Sequence, residues 1–204
     1  MRYSRLSALL FALLVTSQPS VTRAVPLHSP HMHSHPRQRV YLLRGFMNVF
    51  SLGMDQIAAD LQRRGIDAVV GNYSQAGEYA DEAIKECKAG RISSIAIVGH
   101  SFGASAAVEM ANQLAQAGVK VGLVVTVDPV NPTVVSGNVR TLKNFYISTG
   151  IGKPVEPATD FHGSLQNIDM KADPNEDHVS LQNSVRLHKE VVGYVRTAVG
   201  SKCR

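Results

Sequence analysis

The sequence predicts an α/β protein with a doubly wound, mostly parallel sheet of about six strands and helices on both faces. Three observations support this fold class. From Val40 onward, short apolar runs alternate with segments whose apolar residues recur at helical spacing. The runs are apolar at consecutive positions, as in strands that are buried on both faces. Alternation of such strands with helices favours parallel pairing through right-handed crossovers.

Each predicted strand is a short apolar run that ends near a turn residue. The first run, VYLLRG, ends in Gly45, and the third, SIAIVG, ends in Gly99. The fourth, VGLVVTVD, ends in Asp128, directly before a proline. In chain order, the predicted strands are residues 40–45, 66–72, 94–99, 121–128, 141–148 and 164–170.

Four helices are predicted from apolar residues that recur every three or four positions. A glycine follows each of the first three, at Gly65, Gly90 and Gly118, as is common after the C-terminus of a helix. In chain order, the predicted helices are residues 53–64, 76–89, 102–117 and 179–199.

Length and composition favour a single folded domain without a nucleic-acid partner. The chain has 204 residues, of which 44% are hydrophobic and 18% are charged. Its formal net charge is +5, and Arg2, Arg5 and Arg23 contribute three of the positive charges. Without residues 1–24, which contain no acid, the charge is about +2 (5 − 3), too small to indicate nucleic-acid binding. We expect a monomer.

Residues 1–24 are typical of a secretory signal peptide. Arg2 and Arg5 precede the apolar run at residues 6–15, and Val21-Thr22-Arg23-Ala24 has small residues at the −3 and −1 positions of a cleavage after Ala24. The apolar run is too short to cross a bilayer core of about 30 Å, so no stable membrane anchor is expected. We therefore predict a protein that is exported to the periplasm or the extracellular space after cleavage near Ala24.

A flexible linker rich in histidine and proline is predicted at residues 25–38, ahead of a folded domain at residues 39–204. The linker histidines are His28, His31, His33 and His35. Such a run can hold metals weakly, but no cysteine or carboxylate within it defines a coordination geometry. The role of the linker stays open, and we predict no resident metal or other cofactor.

The pentapeptide Gly99-His100-Ser101-Phe102-Gly103 is typical of a nucleophile elbow. It lies where the predicted strand 94–99 meets the predicted helix 102–117. So tight a turn strains the serine backbone, and a side chain two residues before or after the serine would collide with neighbouring elements. Glycines at those two positions avoid the collisions. The pattern therefore predicts Ser101 as a nucleophile at the edge of the sheet.

A serine nucleophile needs a histidine base and an acid that orients the base. In this architecture the chain order is serine, acid, histidine. Asp128 ends the fourth strand, where Pro129 favours extended backbone, and His178 lies in the loop before the last helix. We therefore predict Ser101, Asp128 and His178 as the catalytic residues. The alternatives that stay open are His162 as the base and Asp160, Asp169, Asp173 or Asp177 as the acid. His188 is predicted to be a surface histidine or a helix histidine whose hydrogen bonds are satisfied within the fold.

Two backbone N–H groups must stabilise the oxyanion that forms when a carbonyl is attacked. One belongs to the residue after the nucleophile, Phe102, and the other comes from the loop after the first strand. We predict Phe46 for the second donor, with Met47 as the alternative. Gly45 lets the backbone of this loop approach the substrate closely.

These motifs resemble the α/β-hydrolase superfamily over nearly all of residues 38–200, specifically its small, cap-free bacterial lipase- and esterase-like members. GHSFG matches the elbow, and VDPV is similar to the segment that carries the triad acid in pancreatic-type lipases. RGFMNVFSLGMDQIAADLQRRG is similar to the oxyanion loop and first helix of the bacterial group, with Arg44 where many lipases carry His. Many other α/β-hydrolases place the acid one strand later, so Asp160 stays an alternative.

The resemblance implies a serine hydrolase that cleaves a carboxylic ester or thioester through an acyl-enzyme and needs no cofactor, and the signal-peptide pattern makes it secreted or periplasmic. Its expected partner is a small-molecule or lipid ester substrate. Two alternatives are a non-catalytic binding protein on a degenerate hydrolase fold and an acyltransferase. The short connection at residues 129–140 and the proline-rich segment at residues 150–177 predict an open, solvent-facing Ser101 without a helical cap.

The two cysteines of the chain, Cys87 and Cys203, leave two possibilities open. In an exported protein they can form a disulfide, since both are expected at the amino edge of the sheet. Cys87 also lies on an apolar helix face, where a free buried thiol is common.

Overall fold

The computed structural model describes residues 37–46, 51–171 and 176–204. The predicted signal peptide and the linker up to residue 36 lie outside the described residues. Within the described ranges, no helix is long and apolar enough to cross a membrane.

All six predicted strands and all four predicted helices are present, with shifted ends, and two short strands are added. The strands are β1 (Arg37–Arg44), β2 (Asp67–Asn72), β3 (Ile92–His100), β4 (Leu123–Val127), β5 (Thr133–Val135), β6 (Thr141–Tyr146), β7 (Val155–Pro157) and β8 (Ser164–Asp169). The helices are α1 (Gly53–Arg63), α2 (Ala76–Lys88), α3 (Phe102–Gln116) and α4 (Val185–Thr197).

Six of the strands form one parallel sheet in the order β2-β1-β3-β4-β6-β8, which confirms the predicted fold class. The chain runs from β1 to β2 on one side and then to β3 on the other side of β1. The carboxyl ends of β1 and β3 therefore flank a topological switch point, where ligand crevices form in open α/β sheets. The segments that leave this point are the loop at Gly45 and the turn at Ser101.

Helices cover both faces of the sheet, as predicted. Alternate side chains of β1 enter the two layers: Tyr41 and Leu43 pack with α2 and α3, and Val40 and Leu42 pack with α1 and α4. This division follows from the two-residue period of a strand, and it explains why the run is apolar at consecutive positions. All four side chains are fully buried, and each such leucine stabilises the fold by about 1.5–3 kcal/mol.

The last helix is shorter than predicted, because it begins at Val185 and not at residue 179. The Asp177 carboxylate accepts the N–H groups of Val179 and Ser180 and closes a turn there. A single 3-10 turn over Leu181–Asn183 follows before the helix begins. These local hydrogen bonds hold His178 in a loop outside the helix.

Two further differences involve strands. β1 begins two residues before the predicted domain start at residue 39, because Arg37 and Gln38 pair with β3 and Gln38 Nε2 donates to the carbonyl oxygen of Val195. β5 and β7, which the apolar pattern does not predict, pair with each other in a separate two-stranded sheet. Each has only three residues, too few for an alternating or continuous pattern to be distinctive.

Cys87 and Cys203 form a disulfide at the amino edge of the sheet. Cys87 lies on α2, whereas α4 packs on the opposite face. After α4 the chain crosses this edge, where the Cys203 N–H donates to the carbonyl oxygen of Ser93 and the Cys203 carbonyl accepts the N–H of Lys120. The crossing brings together two cysteines that are 116 residues apart in sequence.

Candidate active site

The turn between β3 and α3 has the strained geometry that the glycine pattern predicts. Ser101 has φ 60° and ψ −125°, in the left-handed region that side chains disfavour. A Cβ at Gly99 would overlap the carbonyl oxygen of Gly103, and a Cβ at Gly103 would overlap that of Leu43 in β1. The Ser101 N–H donates to the carbonyl oxygen of Val127 at 2.9 Å, which fixes the turn to the end of β4.

The structure brings Ser101, His178 and Asp128 together in one hydrogen-bonded line. His178 Nε2 lies 2.9 Å from Ser101 Oγ, and His178 Nδ1 lies 2.6 Å from Asp128 Oδ2. A carboxylate only accepts, so Nδ1 carries the proton of the neutral imidazole and Nε2 accepts the hydrogen of the serine hydroxyl. Three loops from the carboxyl edge of the sheet thus meet in an arrangement that can activate a serine.

Asp128 is held more tightly than its position after a strand suggests. Its side chain is fully buried, and its second oxygen, Oδ1, accepts the Ile147 N–H at 2.8 Å. The predicted extended backbone is wrong: Asp128 has φ 51°, which aspartate tolerates better than most residues. Gly152 packs against the carboxylate, and a Cβ there would overlap Oδ1.

Asp160, His162 and Asp169 form no hydrogen bond with this line in the described part of the chain. Asp160 and His162 precede β8 and so lie at the amino edge, where Asp160 accepts the N–H of Gly137. Asp169 accepts the Ser148 hydroxyl at 2.6 Å, and this hydrogen bond lowers the pKa of Asp169 to about 2.

The other residues that were left open have structural surroundings of their own. The pKa of Asp177 is lowered because its carboxylate accepts the backbone N–H of Ser180, so it stays ionised and holds the loop of His178. His188 Nε2 bonds to the carbonyl oxygen of Gln182 at 2.7 Å, as expected for a satisfied helix histidine. Asp173 lies outside the described residues.

Phe46 and Phe102, the predicted oxyanion donors, line one pocket with Ser101. Phe102 is the first residue of α3, where N–H groups have no intrahelical acceptor and carry the positive end of the helix dipole. The two phenyl rings lie 6.2 Å apart, so the loop after β1 faces the start of α3. Met47, the alternative donor, lies outside the described residues.

The pocket above Ser101 has a volume of about 320 Å³ and an apolar wall. Ser101 is only 5% exposed, so the predicted solvent-facing serine is wrong: it lies at the base of a cavity. In the described part of the chain, the walls are loop side chains and Phe102 at the start of α3, and no helical cap covers them. The apolar lining residues are Phe46, Phe102, Val130, Ile151 and Val179.

Sequence reasoning missed two polar residues beside the line, Ser51 and His100. Ser51 Oγ lies 2.8 Å from His100 Nδ1 and accepts the Gly45 N–H at 3.0 Å. His100 Nε2 lies 2.8 Å from the carbonyl oxygen of His178. Burial lowers the pKa of His100 to about 4, so its imidazole is neutral near pH 7. The only sequence feature that could have indicated His100 is its place directly before Ser101, at a position where the elbow motif specifies no residue type.

A larger cavity, of about 950 Å³, lies at the amino edge of the sheet, far from Ser101. Lys120, Arg140, Lys202 and Arg204 are among its lining residues. It contains no serine with a hydrogen-bonded histidine base, so we place the candidate active site in the smaller cavity. In the described ranges, no group of three or more His, Cys, Asp or Glu side chains is placed to hold a metal ion.

Comparison with protein families gives one match, to the Thioesterase domain, over residues 54–144. This span is somewhat less than half of the chain and includes Ser101 and Asp128 but not His178. No curated protein matches the sequence.

Three solved structures represent the structural matches. The type II thioesterase BorB from the borrelidin biosynthetic cluster is 14% identical with a TM-score of 0.52, covering 84% of this chain and 96% of that chain. The RedJ thioesterase of the prodiginine pathway in Streptomyces coelicolor is 12% identical, with a TM-score of 0.46 and coverages of 89% and 97%. An acetylxylan esterase is 11% identical, with a TM-score of 0.44 and coverages of 82% and 100%. At these identities, the first similarity supports a shared fold.

Proposed function

We propose that the chain, which has the fold of α/β-hydrolases, is a serine hydrolase that cleaves carboxylic esters or thioesters at Ser101. One observation carries this proposal: His178 bridges Ser101 Oγ at 2.9 Å and Asp128 Oδ2 at 2.6 Å within a single pocket. No metal or organic cofactor takes part in the proposed chemistry.

In the first step, His178 Nε2 takes the hydroxyl proton as Ser101 Oγ bonds to the substrate carbonyl carbon. The charge that develops on the carbonyl oxygen is stabilised by the N–H groups of Phe102 and Phe46. Asp128 stabilises the imidazolium, and because its second oxygen is bonded to the Ile147 N–H, the carboxylate cannot rotate away. The imidazolium then protonates the leaving alcohol or thiol as the tetrahedral intermediate collapses to an acyl-enzyme.

In the second step, water replaces the alcohol or thiol. His178 takes a proton from this water, which attacks the acyl carbonyl, and the same two N–H groups stabilise the second oxyanion. The imidazolium returns its proton to Ser101 Oγ, and a free carboxylic acid leaves. An acyltransferase would use an alcohol acceptor in place of water.

The lining of the pocket supports an apolar acyl group as the substrate moiety. Phe46 is 58% exposed and Ile151 is 53% exposed, and such large apolar side chains at a cavity mouth are typical of a binding site. The Phe102 ring lies between those of Phe46 and Tyr73, with centroid distances of 6.2 and 5.6 Å. An uncharged aromatic surface of this kind suits a hydrocarbon chain.

Thioesters are the second candidate class of substrate, because the one matching family is the Thioesterase domain. Thiolates leave more easily than alkoxides, so the same residues can process both. A panel that pairs each acyl group as an oxoester and as a thioester separates the two classes.

Export stays part of the proposal. The disulfide between Cys87 and Cys203 supports an oxidising compartment, and the sequence of residues 1–24 supports a secretory route to it. We propose that the exported chain acts on a small-molecule or lipid ester without a stable membrane anchor, and that it acts as a monomer.

The test is labelling with a fluorophosphonate, which reacts only with an activated serine. We expect the wild-type protein and Ser164→Ala to be labelled, because Ser164 is exposed at the far edge of the sheet. Ser101→Ala should be unlabelled and should lose ester hydrolysis by several orders of magnitude while keeping its melting temperature. A folded wild-type protein that takes no label and hydrolyses no ester of the panel would favour the non-catalytic binding protein.

A further inference from the structure

We propose that His100 is a positioning residue that ties the oxyanion loop and the loop of the catalytic base to the nucleophile elbow. This inference rests on the proposed function, because it assigns His100 a role in that reaction. His100 directly precedes Ser101 in the chain and contributes to the lining of the Ser101 pocket, but it is only 1% exposed, so little of its surface is open to a substrate.

The hydrogen-bond partners of His100 determine which nitrogen carries its proton. The carbonyl oxygen of His178 can only accept, so the Nε2–H of His100 donates to it at 2.8 Å. Nδ1 of the neutral ring is then an acceptor, and the hydroxyl of Ser51 donates to it at 2.8 Å. Ser51 Oγ in turn accepts the Gly45 N–H at 3.0 Å. The Gly45 N–H, the Ser51 hydroxyl, the His100 ring and the His178 carbonyl therefore form one continuous hydrogen-bonded chain in which every donor meets an acceptor.

Each end of this chain holds a loop that the reaction uses. At one end, Gly45 precedes Phe46, the proposed oxyanion donor, and the loop lies so close to the elbow that a Cβ on Gly45 would come within 2.8 Å of Ser101 Cβ. At the other end, the bonded carbonyl belongs to His178 itself. A displacement of either loop by about 1 Å can lower a rate about 100-fold, because attack and charge stabilisation need exact alignment.

His100 also forms the surface on which the catalytic base rests. The rings of His100 and His178 lie 5.1 Å apart at an angle of 34°. The charged groups that face His100 are His178, when protonated, and the Asp128 carboxylate. Burial keeps His100 neutral with a pKa of about 4, so the imidazolium that forms at His178 stacks on an uncharged ring. A protonated His100 would oppose the proton transfer from Ser101.

Three substitutions separate the two hydrogen bonds of His100. His100→Leu removes both, His100→Asn can keep the acceptor for Ser51, and His100→Gln can keep the donor to the His178 carbonyl. We expect His100→Leu to lower kcat about 10- to 100-fold with KM within about threefold of wild type, and at least one amide variant to recover part of the loss. A core residue that only fills space would show no such recovery.

Ser51→Ala tests the same chain from the other end with a smaller change in volume. If the chain acts as a unit, the double variant Ser51→Ala/His100→Leu should lose little more activity than His100→Leu alone. The matched control is Gln38→Leu, which removes a buried hydrogen bond to Val195 at the opposite edge. This control should leave kcat unchanged.

Nitrogen NMR of the histidine rings provides a readout that does not depend on activity. The signals of the His100 ring are assigned as those that disappear in His100→Asn. At pH 7 we expect this ring to be neutral with its proton on Nε2. A proton on Nδ1, or a kcat within twofold of wild type in folded His100→Leu, would overturn the proposal. If fluorophosphonate labelling fails while the Nε2–H form is seen, the proposed reaction is wrong and the hydrogen-bonded chain still exists.

Discussion

Acidification from pH 7 to pH 5 should destabilise the folded protein by about 2 kcal/mol through His100 alone. The ordinary pKa of a histidine is 6.5, and burial lowers that of His100 to about 4, although its hydrogen bond to the His178 carbonyl acts in the opposite direction. Between these two values the unfolded chain binds a proton that the folded chain does not. Stability therefore falls as the pH falls through this window, and no further loss arises from His100 once both states are protonated.

The magnitude follows from the size of the window. A shift from 6.5 to about 4 corresponds to about 3 kcal/mol in full, since one pKa unit is about 1.4 kcal/mol. About 2 kcal/mol of this appears by pH 5, where nearly every unfolded His100 is protonated and few folded ones are. This loss is a large fraction of a typical total stability of about 5–15 kcal/mol.

The assay is urea unfolding at fixed ionic strength at half-unit steps between pH 7 and pH 4.5. Other titrating groups contribute to the raw slope, so the quantity that matters is the difference between wild type and His100→Leu. The variant is expected to be less stable at pH 7 and to lose about 2 kcal/mol less on acidification to pH 5. Gln38→Leu, which changes a buried side chain that does not titrate, should keep the wild-type slope. Parallel slopes for wild type and His100→Leu would refute a neutral, buried His100.

Three further predictions concern other parts of the molecule. Asp128→Asn should lower kcat by about 10²- to 10⁴-fold without unfolding the protein, because an amide has no charge to stabilise the imidazolium and its NH₂ group can impose the wrong tautomer on His178. Asp160→Asn is the control, and an active Asp128→Asn with an inactive Asp160→Asn would reverse the assignment. Gly152→Ala should lower kcat and reduce the free energy of unfolding by about 1–3 kcal/mol, because the added Cβ meets the Asp128 carboxylate. An unchanged urea midpoint would contradict this packing. Replacing Cys87 and Cys203 by serine should reduce the free energy of unfolding by about 2–5 kcal/mol, because the disulfide closes a long loop, and two free thiols in the unfolded, unreduced wild type would reject the bond.

The sheet and the elbow were predictable because local sequence determines them. β1 is apolar on both faces, and its side chains alternate between two helix layers that cover the sheet. Gly99 and Gly103 are needed because the turn leaves no room for a side chain, since a Cβ at either position would overlap backbone atoms. Patterns of this kind need no knowledge of distant residues.

The remaining features depend on groups that the fold brings together from far apart in the chain. β5 and β7 are defined only by their pairing with each other. The start of α4 is delayed because the Asp177 carboxylate competes for backbone N–H groups, a choice that helical periodicity does not reveal. The hydrogen bonds of His100 connect Gly45, Ser51 and His178, and no sequence pattern indicates that these three residues meet at His100.

The unfavourable features of the molecule converge on one small region. Ser101 and Asp128 are the only non-glycine residues with positive φ in the described part of the chain, and such backbone strain costs about 1–3 kcal/mol at each position. Asp128 is also a fully buried carboxylate, and His100 is a buried histidine with a strongly lowered pKa. All three lie at the carboxyl ends of β3 and β4, in the middle of the sheet, where neighbouring strands hold them from both sides. Strain and desolvation persist there only because the surrounding structure resists relaxation. The hydrogen bonds of His100 contribute to that resistance, because they fix the loops at Gly45 and His178 to the turn that carries Ser101.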